Sequence, residues 1–119
     1  MKKEGLTIDP LTIAKKSVEI ALDKKCIEPR ILDLRDISSI CDYFVICSGS
    51  SDRHVKAIVN ALDVDMKKAG ILKIRKETDE GYTWCIIDYG SVITHIFNEK
   101  TRAYYRLEKL WGDAPEVPL

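Results

Sequence analysis

The sequence lacks a long apolar run and an excess of either charge. Its hydrophobic stretches fall well short of the ~20 residues that a helix needs to cross a bilayer, and MKKEGLTIDP has no apolar secretory-signal core. Lys plus Arg number 19, as do Asp plus Glu, so the formal net charge of the 119 residues is zero. Because broad nucleic-acid binding needs a basic excess on some face, this balance favours a protein or small-molecule partner. We therefore expect a cytoplasmic protein that neither spans a membrane nor binds nucleic acid sequence-specifically.

Patterns typical of metal, disulfide and nucleotide sites are missing as well. The cysteines form no CxxC pair, stand among Ile, Val and Leu, and are accompanied by only two histidines. These features favour buried, reduced thiols over a closed zinc site. The sequence contains neither GxxxxGK[ST] nor GxGxxG. We accordingly predict no metal and no cofactor.

Hydrophobic periodicity predicts a single α/β domain over residues 9–112. A mixed sheet of about five strands, flanked by helices, is the natural packing for this order of elements. Residues 1–8 are predicted to be a lead-in, and the proline-containing tail, residues 113–119, to be extended or mobile. The predicted elements are a helix from 10 to about 27, strands at 30–35 and 42–49, a helix at 52–69, strands at 71–76, 82–87 and 92–97, and a helix at 99–111.

The strand–turn–helix segment ICSGSSDRH, residues 46–54, admits two interpretations. Backbone N–H groups at a helix N-terminus can bind phosphate, and some nucleotidyltransferases place a Gly-Ser pair like Gly49-Ser50 at this point. That chemistry also needs nearby metal-binding carboxylates. The spaced pair Asp63 and Asp65 lies within a predicted helix, where residues two apart point in different directions. A tight turn with a serine helix cap is therefore favoured, and nucleotide binding or transfer remains the alternative.

Neither histidine stands in a recognisable catalytic pattern. His54 falls in the first turn of a predicted helix and His95 in the middle of a strand, and both positions favour structural residues. A nucleophile–histidine pair of Cys47 with His95 stays open, because sequence spacing does not exclude it. The chain has no nucleophile-elbow motif and no evident third residue to orient such a pair. We predict that the protein is not an enzyme.

The hairpin TWCIIDYGSVITHIF, residues 83–97, has an unusual density of aromatic and polar side chains. Strand alternation puts Trp84 on the same face as Tyr82 and Ile86. A large ring here fills a core or lies exposed, and the sequence leaves both readings open. Trp and Tyr dominate binding hot spots, and an acidic neighbour selects a partner that carries Arg or Lys. Trp84, Asp88 and Tyr89 are therefore candidate partner-binding residues.

Three blocks together resemble the ribosomal silencing factor family, also called the Iojap family. They are DYFVICSGSSDRHVKAI (42–58), WCIIDYGSVITHIF (84–97) and TRAYYRLEKLWGDAP (101–115), within a resemblance that covers residues 9–115. The resemblance implies a nucleotidyltransferase-like topology without the catalytic carboxylates. It also implies a non-enzymatic function: binding to protein uL14 of the large ribosomal subunit, which blocks joining of the small subunit and represses translation under nutrient limitation or in stationary phase.

The same resemblance assigns roles to particular residues. Trp84 becomes a hydrophobic anchor and Asp88 a charge partner for a basic ribosomal residue, with Tyr89 packed beside them. Three further candidates lie in the matching blocks, namely Asp42, Arg102 and Tyr104. The resemblance implies a homodimer when the protein is free. Organelle members of the family carry targeting extensions, and this chain starts directly at the domain, so we expect a bacterial, cytoplasmic protein. A purely structural dimerisation module is a further alternative.

Overall fold

The computed structural model describes residues 8–119, so all of the predicted lead-in except Ile8 lies outside the described residues. The helices are α1 (Pro10–Asp23), α2 (Asp52–Lys68), α3 (Glu99–Tyr105) and α4 (Leu107–Leu110). The strands are β1 (Ile27–Asp33), β2 (Tyr43–Gly49), β3 (Arg75–Glu77), β4 (Trp84–Asp88), β5 (Val92–Asn98) and β6 (Glu116–Val117).

The strands form one six-stranded mixed sheet in the order β3-β4-β5-β2-β1-β6. The central pair, β2 and β5, is parallel, and the other neighbours are antiparallel. All seven residues of β2 are buried, because this strand has neighbours on both edges and is covered on both faces. The predicted α/β mixed sheet with flanking helices is therefore confirmed.

Helices α1 and α2 cover one face of the sheet and enclose the helix-side core. Asp9 accepts the Thr12 N–H and Pro10 occupies the first turn of α1, which are the capping residues the sequence predicts. Ser51 caps α2 by accepting the His54 N–H. Each fully buried aliphatic side chain contributes ~1.5–3 kcal/mol to folding. The helix-side core includes Ile13, Val18, Val45, Cys47, Val55, Ile58, Leu62, Met66, Ile87 and Ile96.

The opposite face of the sheet, called here the open face, has a smaller core. Helix α4 covers part of it through Leu107, and Trp111 packs against it just beyond the helix. The buried members are Leu32, Leu34, Cys41, Phe44, Ile46, Phe97 and Leu107. Trp84 and Ile93 pack against this core while remaining partly exposed. The fold therefore leaves the β4–β5 side of the open face accessible.

The largest departures from the predicted elements are in the last helix, the third strand and the tail. The helix predicted at 99–111 is broken at Arg106, whose φ of 51° ends α3 in a left-handed conformation. The strand predicted at 71–76 shrinks to Arg75–Glu77, because Ile71 turns into the helix-side core instead. The tail is extended as predicted but also belongs to the sheet: Val117 pairs with Ile31 of β1 and supplies the sixth strand.

Candidate partner-binding surface

Trp84 lies half-buried on the open face, which reconciles the two readings of this residue. Its ring stacks on Phe97, 4.9 Å between centroids, because the two residues are opposite each other in the β4–β5 register. Tyr105 at the end of α3 packs against the same ring at 5.0 Å. Trp84 therefore has one side in the core and another exposed to solvent.

A hydrogen bond to His95 fixes the orientation of Trp84. The indole N–H donates to His95 Nδ1 at 3.1 Å, so the proton of the neutral imidazole resides on Nε2. His95 is 5% exposed, and burial lowers its pKa to about 4. The imidazole is consequently neutral at physiological pH and serves as a fixed acceptor for the tryptophan.

Two carboxylates lie at the edge of the open face where β4 ends and β2 begins. Asp88 Oδ1 accepts the Gly90 N–H at 2.7 Å, and Asp42 directly precedes β2. Burial, followed by the charges of Asp42 and Asp88, raises the pKa of the Cys41 thiol to about 11. Both carboxylates thus lie within electrostatic range of one buried thiol, and the part of the open face that carries Asp42 and Asp88 is called here the acidic edge.

Tyr89 does not join Trp84 and Asp88. It is 8% exposed in the helix-side core and lines a cavity of about 230 Å³ together with Leu62 and Met66 of α2. Strand alternation places the residue after Asp88 on the other face, and burial raises the pKa of its hydroxyl. The expectation that Tyr89 packs beside Trp84 is therefore wrong.

Tyr82 also departs from the predicted alternation with Trp84. Its φ of 52° places it in a left-handed turn before β4, and it packs against the helix-side core. Lys56 of α2 lies 5.7 Å from the centroid of its ring. Sequence alternation failed here because the strand begins two residues later than predicted.

Arg102 holds the inside of the molecule together. It is 9% exposed, donates to the Ile27 carbonyl and Ser48 Oγ at 3.2 and 3.0 Å, and pairs with Glu108 at 2.8 Å. These contacts tie α3 and α4 to the ends of β1 and β2. The geometry thus gives Arg102 a structural role, although the sequence suggested a partner contact.

Two adjacent tyrosines extend the aromatic surface from Trp84 towards solvent. Tyr104 is 80% exposed, and its ring meets Tyr105 edge to face at 5.1 Å. Tyr105 is not among the candidates predicted from the sequence, yet it links Tyr104 to Trp84. The adjacent Tyr104-Tyr105 pair in the third block was the available signal, because neighbouring helix residues project at different angles, so that one tyrosine can pack on the sheet while the other is exposed.

The Gly49–Ser50 turn is built for close packing. A Cβ on Gly49 would lie 2.8 Å from Val55 N and 2.9 Å from Val55 Cγ2, so α2 packs directly against the backbone at the end of β2. The Ser50 N–H donates to His54 Nδ1 at 2.9 Å, and His54 Nε2 donates to the Lys24 carbonyl at 2.8 Å. The His54 backbone N–H donates to Ser51 Oγ at 3.1 Å, so the backbone N–H groups of Ser50 and His54 are both occupied within the chain and are not free to bind a phosphate.

The other catalytic alternatives also lose support. Asp63 pairs with Lys76 and Lys73 across the α2–β3 junction, which gives that carboxylate a structural explanation. Cys47 lies in the helix-side core, whereas His95 bonds Trp84 on the open face. The sheet separates them, so the Cys47–His95 pair left open by the sequence is excluded. Over residues 8–119 there is no cluster of three or more potential metal ligands and no helix long and apolar enough to cross a membrane.

Comparison with known proteins gives consistent matches along the chain. Residues 7–119 match the family model described as "Ribosomal silencing factor during starvation" (RsfS). The ribosomal silencing factor RsfS of Halalkalibacterium halodurans is 45% identical over 97 residues, covering 82% of this chain and 83% of that protein. A crystal structure from Chromobacterium violaceum has a TM-score of 0.85 at 30% identity, covering 94% of this chain and 92% of that one.

A more distant match concerns an organelle protein. The mouse protein named "Mitochondrial assembly of ribosomal large subunit protein 1" is 43% identical over 76 residues, which cover 59% of this chain and 32% of that protein. The shared part is therefore one region of a longer chain. Its name connects that relative with the large ribosomal subunit.

Proposed function

The chain belongs to the ribosomal silencing factor family, and we propose that it binds protein uL14 on the large ribosomal subunit and sterically blocks joining of the small subunit. Family membership supports a ribosome-associated silencing role, which is regulatory and non-catalytic. Repression of translation under nutrient limitation or in stationary phase is the biological consequence we propose. The name of the mouse relative agrees with the large subunit as the site of action.

The observation that carries the proposal is the half-buried Trp84 beside an acidic edge. A tryptophan already held in place loses little side-chain entropy when a partner covers it, which favours a binding hot spot. Tyr105 and Ile93 extend the apolar area around this ring. Asp42 and Asp88 supply negative charge at one edge, which suits a partner surface bearing Arg or Lys. Tyr104 is a further exposed candidate, which contacts Tyr105 on the side away from Trp84.

Steric blocking requires no chemistry from the chain. A domain with a radius of gyration of 13.7 Å is large enough to keep two flat surfaces apart when it is bound to one of them. We further propose that the free protein is a homodimer and acts in the cytoplasm. Neither property is needed for the blocking step.

The direct test is a subunit-joining assay with purified large and small ribosomal subunits. Increasing wild-type protein should convert joined ribosomes into free subunits in a sedimentation profile. Trp84→Ala should weaken binding to the large subunit by about 2 kcal/mol or more, roughly thirtyfold, and Trp84→Ala with Asp88→Ala should abolish the shift at the same concentration. Circular dichroism must show that both variants fold.

Asp23→Ala provides a matched control for the charge change. Asp23 is an exposed carboxylate at the end of α1, on the helix-covered side of the molecule. This variant should convert joined ribosomes into free subunits at the same protein concentration as the wild type. An unchanged sedimentation profile at saturating wild-type protein would contradict the proposed function, and titration of isolated uL14 tests the named partner separately.

A further inference from the structure

Arg75 lies beside the acidic edge and on the same side of the sheet. In the β3–β4 register Arg75 is directly opposite Asp88, and opposite residues of an antiparallel pair project from the same face. Arg75 Nε is 4.0 Å from Asp88 Oδ2. The guanidinium therefore lies at the carboxylate that the proposed partner would approach.

The two oxygens of Asp88 are in different situations. Oδ1 is fixed by the Gly90 N–H at 2.7 Å. Among the described residues, Oδ2 has Arg75 as its charged neighbour, at the limit of an ion pair. The Asp88 side chain is 20% exposed. One oxygen thus anchors the carboxylate while the other is held loosely enough to accept a stronger donor.

Glu77 offers Arg75 a second position. Arg75 Nη1 is 2.8 Å from Glu77 Oε2, a closer contact than the one with Asp88. The side chains of Arg75 and Glu77 are 58% and 57% exposed, so solvent screens this pair and it holds the guanidinium only weakly. Arg75 therefore lies within reach of two carboxylates, Glu77 on the edge strand β3 and Asp88 on β4.

We infer that Arg75 is a resident cation on the binding surface, which a basic side chain of the partner must displace from Asp88. This inference rests on the proposed function. Because like charges repel, Arg75 weakens binding of a basic partner and slows its electrostatically guided approach. Glu77 moderates the effect, because it attracts the guanidinium away from Asp88.

The test compares the affinities of purified large subunits for wild-type protein and for Arg75→Gln. The variant should bind about two- to fivefold more tightly, the range expected for one exposed charge interaction, and the gain should shrink at high salt. Arg53→Gln is the matched control, because Arg53 is an exposed cation at the start of α2. It should leave the affinity unchanged.

Glu77→Gln separates the proposed mechanism from a direct contact. In the wild-type background it should weaken binding, because Arg75 is then left to Asp88 alone. In the Arg75→Gln background the same change should weaken binding less, because only the direct attraction of Glu77 for a basic partner remains. If Glu77→Gln weakens binding equally in both backgrounds, Glu77 acts on the partner independently of Arg75 and the displacement mechanism is wrong.

The failure of this inference is distinguishable from failure of the proposed function. If wild-type protein binds large subunits and Asp88→Asn weakens binding, but Arg75→Gln does not tighten it, Arg75 is not a resident competitor although the surface is correct. Weaker binding by Arg75→Gln would make Arg75 a partner contact and overturn the inference. If wild-type protein does not bind at all, both proposals fail.

Discussion

The buried His95 predicts a specific acid sensitivity of the fold. Its pKa is lowered from 6.5 to about 4 by burial, and its Nδ1 is occupied by the Trp84 N–H. Between these two pKa values the unfolded chain binds a proton that the folded chain does not bind. The free energy of unfolding therefore rises with pH through this interval. The contribution of the neutral His95 is lost as the pH falls from about 6.5 towards 4.

The magnitude follows from the two pKa values. One pKa unit corresponds to about 1.4 kcal/mol, so His95 should cost the fold about 2 kcal/mol by pH 5 and about 3 kcal/mol by pH 4, relative to pH 7.5. That loss is a large fraction of the ~5–15 kcal/mol that stabilises a typical domain. Acid should thus weaken the fold through a residue that supports the proposed binding surface.

The measurement is urea unfolding, followed by circular dichroism, of the wild type and His95→Gln from pH 7.5 to 4. Glutamine keeps an acceptor for the Trp84 N–H but does not titrate, and the other ionisable groups, including His54, are common to both proteins. The stability difference between the two proteins should therefore shift by about 3 kcal/mol in favour of the variant. A difference that stays constant over this range would refute the assignment of a buried, neutral His95.

Two further substitutions test the structural assignments. Gly49→Ala should lower the free energy of unfolding by about 1–3 kcal/mol, because the new Cβ would lie 2.8 Å from Val55 N. Gly81→Ala is the control, because its Cβ would meet Thr83 Cγ2 at an ordinary 3.4 Å. Equal effects of the two substitutions in urea unfolding would contradict the close packing at Gly49. Tyr89→Phe should leave the free energy of unfolding unchanged or slightly raised, because within residues 8–119 the buried hydroxyl has no hydrogen-bond partner. Binding to the large subunit should be unchanged. Weakened binding with an intact fold would show that Tyr89 belongs to the interface.

Local patterns predicted the central elements well. The uninterrupted apolar run 43–47 is the fully buried strand β2, and the serine at 51 caps α2 as expected. Apolar spacing and capping chemistry are local properties, so a single sequence reveals them. The hairpin at 83–97 was also predictable, because buried and exposed side chains alternate along a strand when one face of the sheet is more buried than the other.

Predictions failed where long-range contacts determine the backbone. Arg106 adopts a left-handed conformation, which is unfavourable for residues other than glycine. The buried contacts of Arg102 with Ile27 and Ser48 hold the surrounding chain in place. The tail becomes β6 because β1 presents a free edge to it. No local pattern in residues 99–117 contains this information, since the partners lie far away in sequence.

The sequence by itself determined the fold class, the central strands, the helix caps and the resemblance to a family. Tertiary structure alone decided which candidate residues share a surface. Trp84 and Asp88 face outward together, Tyr89 faces α2, and Arg102 is buried among backbone and side-chain acceptors. The physical reason is that sequence spacing fixes how side chains alternate within a strand, whereas the packing of helices on the sheet decides which face is covered and which remains open to a partner.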